Sequence, residues 1–340
     1  MELEEENLFK TAQRIIAEGN VIFCPSLGEY PVYDELLYNM MGEDAAKMNA
    51  YEQAIRKAAK DKIAVDIGTG SGAPLALMCA AAGAKQVYAI EAGAAAAQQA
   101  GELIRSKKLE DKIKIVHGCS SAIELPEKAG LCVSEIIGNI GSSEGVISIL
   151  NDARRFLKSN AGMIPGRCVT NIAPVCLPQK IYDSDLLKEV VNGYIERIYQ
   201  TVGFKFPLTR YAVYNFPESN IIAEPEIFED IRFDRNPDAE TLKTVEFSIR
   251  TDCEFDGLLL WIDLYVDENS VINAFDSVSW PPVYLNAGKK HLKENDVIKI
   301  DCARKLSKNL LNPDYFFAGS IFRHGRAIDS FNIDSYYTTA

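Results

Sequence analysis

The stretch KIAVDIGTGSGAPLALMCAAAGAKQVYAIE, residues 62–91, constrains the fold more than any other part of the chain. A short apolar run ends in a glycine-rich turn, an alanine-rich helical stretch follows, and a second apolar run ends at Glu91. Two further apolar runs, KIKIVHG and AGLCVSEII, continue the alternation. Short apolar runs that alternate with helical stretches are typical of parallel strands buried on both faces of a sheet. The pattern therefore predicts a doubly wound α/β domain.

The alternation stops near residue 165. A helical stretch at 183–203 is followed by alternating apolar and polar runs between turn residues, which predict an antiparallel sandwich or barrel. Helical patterns at 7–18, from about residue 34 and at 48–60 precede the α/β part. A chain of 340 residues exceeds the usual size of a single core. We predict three parts: a helical segment at 1–60, a cofactor domain at 61–164 and a β domain at 165–340.

Composition excludes several kinds of protein. A net charge of −12 and a pI near 4.9 argue against broad nucleic-acid binding. The eight cysteines are scattered without a C-x-x-C pair and there are three histidines, so we expect no metal site and no disulfide framework. The acidic start MELEEENLFK does not resemble a secretory signal, and the longest apolar run, at 73–84, is too short to span a membrane. We expect buried, reduced cysteines and a cytoplasmic protein.

The glycine turn VDIGTGSG indicates a nucleotide-type cofactor. Asp66 ends a strand, and Gly68, Gly70 and Gly72 allow a tight turn and close approach of a ligand to the backbone. Glu91 ends the next strand, where a carboxylate can accept ribose hydroxyls. Nicotinamide dehydrogenases and S-adenosylmethionine methyltransferases share these features. Asp66 would repel a pyrophosphate but tolerates a cationic sulfonium, which favours the methyltransferase; a purely structural turn stays an alternative.

The segment SEIIGNIGSSEG carries two carboxylates, Glu135 and Glu144, on either side of a glycine-rich turn. A guanidinium is planar and pairs bidentately with carboxylates. Two carboxylates would fix its orientation and aim one nitrogen at a methyl donor. One of them, or water, can accept the released proton. An amine could use the same pair less selectively, and two solvated loop carboxylates are the alternative.

Taken together, VDIGTGSG…AAGAKQVYAIEA, IELP, SEIIGNIGSSEG and LKSNAGMIPGR resemble the protein arginine N-methyltransferases, over about residues 30–320. The resemblance implies a Rossmann-like S-adenosylmethionine-binding domain, then an antiparallel β-barrel substrate domain with a helical dimerisation arm at about 181–205. It implies that Glu135 and Glu144 are the catalytic, substrate-binding glutamates. The residues that it implies for cofactor binding are Asp66, Gly68, Gly70, Glu91, Ser121 and Lys47.

Two of these assignments depart from the family pattern. Ser121 stands where the family usually has a glutamate facing the adenine, so that hydrogen bond is expected to be weaker or to come from backbone. Lys47 is matched to the family's arginine near the cofactor carboxylate, although the spacing differs. A solvated lysine on a helix is the alternative for Lys47.

Three departures concern the substrate. The family's Thr-His-Trp loop reads Val278-Ser279-Trp280 here, the aspartate that pairs with this histidine is matched to Asn39, and Tyr33 replaces a second histidine. Loss of both pairing partners predicts a reshaped pocket. Tyr33, Ser279 and Trp280 are therefore the candidate substrate contacts, with Trp280 as a cation-binding aromatic wall. A buried barrel residue is the alternative for Trp280.

From these features we predict an S-adenosylmethionine-dependent N-methyltransferase of a bacterial-type branch. It would methylate a guanidine or amine of a small molecule, with natural-product biosynthesis as the suggested setting. The alternatives are a protein arginine N-methyltransferase acting on an arginine-containing protein, and a non-catalytic cofactor-binding partner protein. The apolar stripe of the arm predicts a homodimer, and neither a nucleic acid nor a membrane is expected as a partner. The stripe contains Leu186, Val190, Tyr194 and Ile198.

Overall fold

The computed structural model describes residues 14–26, 44–181, 183, 185–206 and 208–337. Within these ranges the strands form one parallel sheet and two antiparallel sheets. Residues 14–17 are helical. The predicted helix from about residue 34 lies outside the described residues, as do Tyr33 and Asn39.

The parallel sheet confirms the predicted Rossmann-like domain. Its spatial order is β4 (Ile113–His117), β3 (Gln86–Glu91), β2 (Ile63–Ile67), β5 (Ala129–Ser134) and β6 (Leu157–Ile164). Four helices accompany it: α1 (Ala45–Ala58), α2 (Pro74–Ala81), α3 (Ala94–Ser106) and α4 (Val146–Ala153). Strand order reverses around β2, and in such sheets ligands bind in the crevice at the carboxyl ends of the strands beside that point.

Burial explains why these runs became central strands. Every residue of β2 after Ile63, and every residue of β3 after Gln86, is buried. Strands covered on both faces need a nearly continuous apolar sequence. The strand sequences IAVDI and QVYAIE meet this need, and each contains one acidic residue. Those two acids, Asp66 and Glu91, are thereby placed at the carboxyl edge of the sheet.

The second half of the chain is antiparallel, as predicted. One sheet of seven strands contains β1 (Ile22–Pro25), β7 (Arg167–Val175), β8 (Arg210–Tyr214), β9 (Glu226–Arg232), β11 (Cys253–Asp267), β12 (Ser270–Asn273) and β13 (Val283–Leu292). The other sheet has four: β10 (Thr241–Ser248), β14 (Val297–Leu306), β15 (Pro313–Arg323) and β16 (Arg326–Ser335). Their inward side chains share one apolar core that includes Phe255, Ile298 and Phe317. Parallel pairing changes to antiparallel between Ile164 and Arg167.

The helical interpretation of residues 1–60 misses β1. Strand β1 pairs antiparallel with β8, so that Ile22 lies opposite Tyr214 and Pro25 opposite Tyr211. Ile22 and Pro25 are buried in this position. Four residues are too few to show a strand period in the sequence, so the tertiary pairing decides the structure here. Helix α1 begins at Ala45, before the predicted start at residue 48.

The helical stretch predicted at 183–203 is α5 (Asp185–Val202), between β7 and β8 in the chain. Ile198, one of the four residues of the predicted exposed stripe, is instead buried in a small cluster with Val202. Phe206 and Leu208, which follow the helix, cover this cluster. Part of the apolar face is therefore satisfied within the chain, and a dimerisation role for α5 stays a proposal.

The cysteines are free thiols, and four of them are buried: Cys79, Cys132, Cys168 and Cys302. Cys119 is exposed, so the expectation of burial is wrong at that position, which lies just after β4. Among the described residues, no helix combines the length and the apolar character needed to cross a membrane.

Candidate active site

Three predicted site residues lie on neighbouring strands at one edge of the parallel sheet. Asp66 is the fourth residue of β2, Glu91 ends β3, and Glu135 directly follows β5. The register pairs Ile67 with Ile90 on one side and with Ser134 on the other. The structure therefore brings the motif acid, the predicted ribose acid and the first glutamate of the loop to the same crevice.

The glycine turn after β2 needs its first glycine. Gly68 has φ +75°, and its amide and that of Thr69 both donate to the carbonyl oxygen of Ile90 at 3.0 Å. A Cβ atom on Gly68 would come within 2.8 Å of Ile136 Cγ2, in the loop after β5. Gly70 also has a positive φ, +67°. The turn is thus held between β3 and the glutamate loop in a conformation that favours glycine.

Asp66 is fully buried. Its Oδ2 accepts a hydrogen bond from Thr69 Oγ1 at 2.6 Å, whereas its Oδ1 has no hydrogen-bond partner among the described residues. Burial raises the pKa of Asp66 to about 7, although the Thr69 hydroxyl and the nearby backbone amide of Ala76 act to lower it. A cationic ligand in the crevice would favour the ionised form of this acid.

Glu91 holds two backbone amides in this structure. Its Oε2 accepts from the amide of Gly70 at 2.9 Å, and its Oε1 accepts from that of Gly93 at 2.8 Å. The carboxylate thus links the glycine turn to the turn that starts α3. Each carboxylate oxygen has a further lone pair, so Glu91 can still accept hydroxyl groups of a ribose. That predicted role stays a prediction.

Glu135 is largely buried and forms an ion pair with Lys47. Lys47 Nζ, on the first turn of α1, lies 3.4 Å from Glu135 Oε2, and the lysine is 2% exposed. The alternative of a solvated helix lysine is therefore wrong. Glu135 Oε1 is buried and has no hydrogen-bond partner in the described part of the chain. Burial raises the pKa of Glu135, and the charge of Lys47 partly opposes this rise.

Trp280 supports the same ion pair. The indole is buried, which agrees with the alternative interpretation of Trp280 as a buried barrel residue. Its Nε1 donates to the carbonyl oxygen of Ile137 at 2.6 Å. Lys47 Nζ lies 5.1 Å from the centroid of the ring. Trp280 therefore touches both the loop that carries Glu135 and the lysine that neutralises it.

Asp44 is a site residue that the sequence patterns did not indicate. It caps α1 by accepting from the amide of Lys47 at 3.0 Å, and its Oδ2 accepts from the hydroxyls of Ser277 at 2.8 Å and Ser279 at 3.0 Å. Burial alone would raise the pKa of Asp44, but these hydrogen bonds and Lys47 hold it below its ordinary value.

These contacts also involve the loop of the predicted substrate pocket. The position matched to the family's acid, Asn39, lies outside the described residues, so its predicted loss stays a prediction; Ser279, the residue matched to the family's histidine, donates to Asp44 instead. Asp44 caps the helix that carries Lys47, three residues before that lysine. The loop at 277–280 stays tied to α1 through serine hydroxyls.

The loop from 135 to 145 folds back on itself. A Cβ atom on Gly138 would overlap Ser143 Oγ, and the amide of Ser143 donates to the carbonyl oxygen of Ile140 at 2.8 Å. Glu144 is half-buried in the turn before α4, and Gly145 caps that helix at φ +81°. The loop therefore doubles back as a hairpin that begins at Glu135 and ends beside Glu144, and a shared role of the two glutamates in substrate binding stays a prediction.

Ser121 is the least supported of the predicted residues. It lies in the short helical turn Ser120–Ala122 after β4, at the carboxyl edge, but it is exposed and contacts Cys119 Sγ at 3.1 Å.

Tyr51 is a second residue near the site that the sequence motifs did not indicate. It is fully buried on α1, and its hydroxyl donates to the carbonyl oxygen of Ser134, the residue before Glu135, at 3.2 Å.

The crevice residues fit S-adenosylmethionine. Asp66 Oδ1 and Glu135 Oε1 are buried acceptors without a partner among the described residues, and both suit ligands that donate hydrogen bonds and carry positive charge. The exposed Gly68 leaves its Cα open to a ligand, and Glu91 closes the turn beside it. Among the described residues, no group of three His, Cys, Asp or Glu could hold a metal ion.

Comparisons with known proteins point the same way. Residues 25–164 match the family model described as PRMT5 arginine-N-methyltransferase. The probable protein arginine N-methyltransferase 6 of Arabidopsis thaliana is 26% identical over 245 residues, which cover 71% of this chain and 53% of that protein. The histone-arginine methyltransferase CARMER of Drosophila persimilis is 39% identical over 139 residues, 40% of this chain and 26% of the relative. The matched segments thus span about half or less of these relatives.

Solved structures share the fold. Arabidopsis thaliana protein arginine methyltransferase 10 superposes with a TM-score of 0.70 at 20% identity, covering 88% of this chain and 97% of that one. The PRMT1 enzyme–prozyme heterotetrameric complex of Trypanosoma brucei, solved with AdoHcy, gives 0.65 at 18% identity over 88% of this chain and 96% of that one. The chain is therefore similar to protein arginine N-methyltransferases in sequence over residues 25–164, and it shares the fold of these solved structures over most of its length.

Proposed function

We propose that this chain is an S-adenosylmethionine-dependent arginine N-methyltransferase. The observation that carries the proposal is the environment of Glu135. One carboxylate oxygen is held by the buried Lys47 at 3.4 Å, while the other is buried without a partner among the described residues. This oxygen lies at the carboxyl edge of the sheet, where cofactors bind in such folds. A buried carboxylate with an open acceptor calls for a cationic donor.

A guanidinium satisfies that requirement. Its planar N–H groups match carboxylate oxygens, and Glu144 on the other arm of the hairpin supplies a second carboxylate. Two fixed carboxylates would hold the plane of the substrate and leave one nitrogen facing the methyl donor. When bound, S-adenosylmethionine supplies an electrophilic methyl group.

The raised pKa of Glu135 suits it to the proton that the methylated nitrogen must release. Burial raises this pKa and the charge of Lys47 limits the rise, so the carboxylate is a stronger proton acceptor than a solvated glutamate. Lys47 pairs with one oxygen of Glu135, and Trp280 donates to the carbonyl oxygen of Ile137 two residues further along the loop, so both restrain the carboxylate before the substrate arrives.

We infer that the acceptor is arginine within a protein or peptide. The relatives are named as protein or histone arginine methyltransferases. The prediction of a small guanidine or amine depended on the loss of both pairing partners, whereas the loop still meets a carboxylate through the hydrogen bond from Ser279 to Asp44. A small-molecule acceptor remains the second candidate, because Ser279 still replaces the family's larger histidine.

The test is release of S-adenosylhomocysteine over a panel of acceptors. The panel contains arginine-rich peptides, free arginine, small guanidines, amino sugars and amino acids. Glu135→Gln and Glu144→Gln remove one charge each from the hairpin, and Glu110→Gln, at an exposed position, is the matched control. We expect turnover on peptides that falls by about 100-fold or more in both hairpin variants and is unchanged in the control.

Each other outcome identifies an alternative. Turnover on a small molecule alone, lost in both hairpin variants, would favour the second candidate. Binding of S-adenosylhomocysteine with no turnover on any acceptor would favour a non-catalytic partner protein. A melting temperature that rises with NAD but not with S-adenosylhomocysteine would contradict the cofactor assignment and favour a dehydrogenase.

A further inference from the structure

A buried ion pair lies beneath the glutamate hairpin in the antiparallel domain. Arg304, on β14, places its Nη1 2.7 Å from Glu229 Oε1 on β9, and the two side chains are 6% and 0% exposed. The remaining guanidinium nitrogens of Arg304 donate to the carbonyl oxygens of Ala239 at 2.9 Å and Asp238 at 2.7 Å. Each of the three guanidinium nitrogens of Arg304 therefore has a hydrogen-bond acceptor, which fixes the position of the cation.

Glu229 extends this pair into the hairpin. Its Oε1 accepts from Ser142 Oγ at 2.5 Å, and its Oε2 accepts from Thr170 Oγ1 at 2.6 Å. The same threonine hydroxyl accepts from the amide of Gly141 at 3.0 Å, and Ser142 Oγ also lies 2.8 Å from the hydroxyl of Tyr315. The hairpin is thus bound at residues 141 and 142 by side chains from β7, β9 and β15.

The packing at this point is close. A Cβ atom on Gly141 would lie 2.7 Å from Cys168 Sγ and 3.1 Å from Thr170 Oγ1, so the backbone of the hairpin rests directly on β7. Residues 141 and 142 are also the part of the hairpin between Glu135 and Glu144. Contacts that hold residues 141 and 142 in place therefore also restrain the two arms of the hairpin that carry Glu135 and Glu144.

We propose that the Glu229–Arg304 pair, acting through Thr170 and Ser142, positions the glutamate hairpin for methyl transfer. This inference rests on the proposed function. A buried ion pair contributes little to stability compared with apolar residues of equal volume, so stability alone is a weak explanation for its presence. Three hydrogen bonds from one short loop to Thr170 and Glu229, with Thr170 itself bonded to Glu229, give the pair a geometric role instead. Glu229 and its partners are positioning residues, because none of them lies at the carboxyl edge of the parallel sheet.

The test compares variants that loosen the hairpin with one that only perturbs the domain. Ser142→Ala and Thr170→Val each remove a hydroxyl between the hairpin and Glu229 and leave the ion pair in place. Arg304→Gln breaks the pair itself. The matched control is Arg323→Gln. It breaks a second ion pair of the same domain, in which Arg323 donates to Asp296 at 2.8 and 2.7 Å, in the turn between β13 and β14.

Activity is expressed per site that binds S-adenosylhomocysteine, which removes the effect of unfolded protein. We expect kcat on an arginine peptide to fall about 10- to 100-fold in Ser142→Ala and Thr170→Val, because a displacement near 1 Å has that effect. The affinity for S-adenosylhomocysteine should stay within about twofold, since the cofactor residues lie on other elements. Arg323→Gln should keep its kcat. An unchanged kcat in both hydroxyl variants would overturn the inference, even if Arg304→Gln fails to fold.

Failure of the proposed function gives a different result. If the wild-type chain methylates no acceptor, the proposed function fails, and amide hydrogen exchange of the segment 135–145 then decides the positioning role. Exchange should be about tenfold faster in Ser142→Ala and Thr170→Val than in the wild type and in Arg323→Gln. Equal exchange in all four proteins would contradict a positioning role for the buried network.

Discussion

Replacing Asp66 with asparagine should change how the stability of the protein depends on pH. Asp66 is fully buried, and its pKa is raised from 3.8 to about 7. In the unfolded chain the acid ionises near its ordinary value. Between these two values the folded state holds a proton that the unfolded state has lost, so folding becomes less favourable as pH rises.

The magnitude follows from the two pKa values. A raised carboxyl pKa lowers stability progressively from about pH 4 to about pH 7, and the effect is complete above that range. A difference of about 3 in pKa corresponds to about 4 kcal/mol in total, of which about 2.5 kcal/mol falls between about pH 5 and about pH 8. Asparagine does not titrate, so Asp66→Asn should lack this loss of folding stability with rising pH.

The assay is chemical denaturation of the wild type and of Asp66→Asn, without cofactor, at several pH values between those limits. The wild type should lose about 2.5 kcal/mol relative to the variant as pH rises. Comparing the two proteins cancels the contributions of all other titrating groups. Parallel pH profiles would refute the reasoning, because they would mean that Asp66 is ionised in the folded state throughout.

Three further predictions concern the crevice, the loop that closes it and the oligomeric state. Glu91→Gln should weaken binding of S-adenosylhomocysteine about 10- to 100-fold by calorimetry, because one charged acceptor that closes the glycine turn is lost; an unchanged affinity would speak against this role. Replacing Ser277 and Ser279 together with alanine should lower the free energy of unfolding by about 2 to 4 kcal/mol, since Asp44 loses two hydroxyl donors; a loss below about 0.5 kcal/mol would show that water replaces them. Light scattering should give twice the chain mass of 37.6 kDa if α5 serves as a dimerisation arm, and the monomer mass at micromolar concentration would argue against it.

The parallel sheet could be predicted from sequence because each of its central strands is a continuous apolar run of five or six residues. Such runs have few other stable environments than the middle of a covered sheet. Asp66 and Glu91 could be placed at the carboxyl edge of the sheet because each is the acidic residue at or next to the end of its strand. Strand β1 could not, since IFCP pairs with β8 from almost two hundred residues away and carries no period of its own.

The parts of the site that were missed all depend on contacts between distant segments. Asp44 meets Ser277 and Ser279 across 233 and 235 residues, and nothing in the local sequence links them. Lys47 could be placed on a helix but not inside the protein, because its burial results from the position of Trp280 and Glu135. Charged residues on helices are usually solvated, so local sequence favours the wrong alternative here.

The most direct test of the central claim is to locate the transferred methyl group. S-adenosylmethionine carrying an isotopically labelled methyl group is incubated with the wild-type chain and an arginine-containing peptide, and the product is sequenced by tandem mass spectrometry. The proposed function predicts the label on the guanidine of arginine, and its absence when Glu135→Gln replaces the wild type. Labelled cofactor that binds but leaves every guanidine unlabelled, or a label that persists in Glu135→Gln, would contradict it.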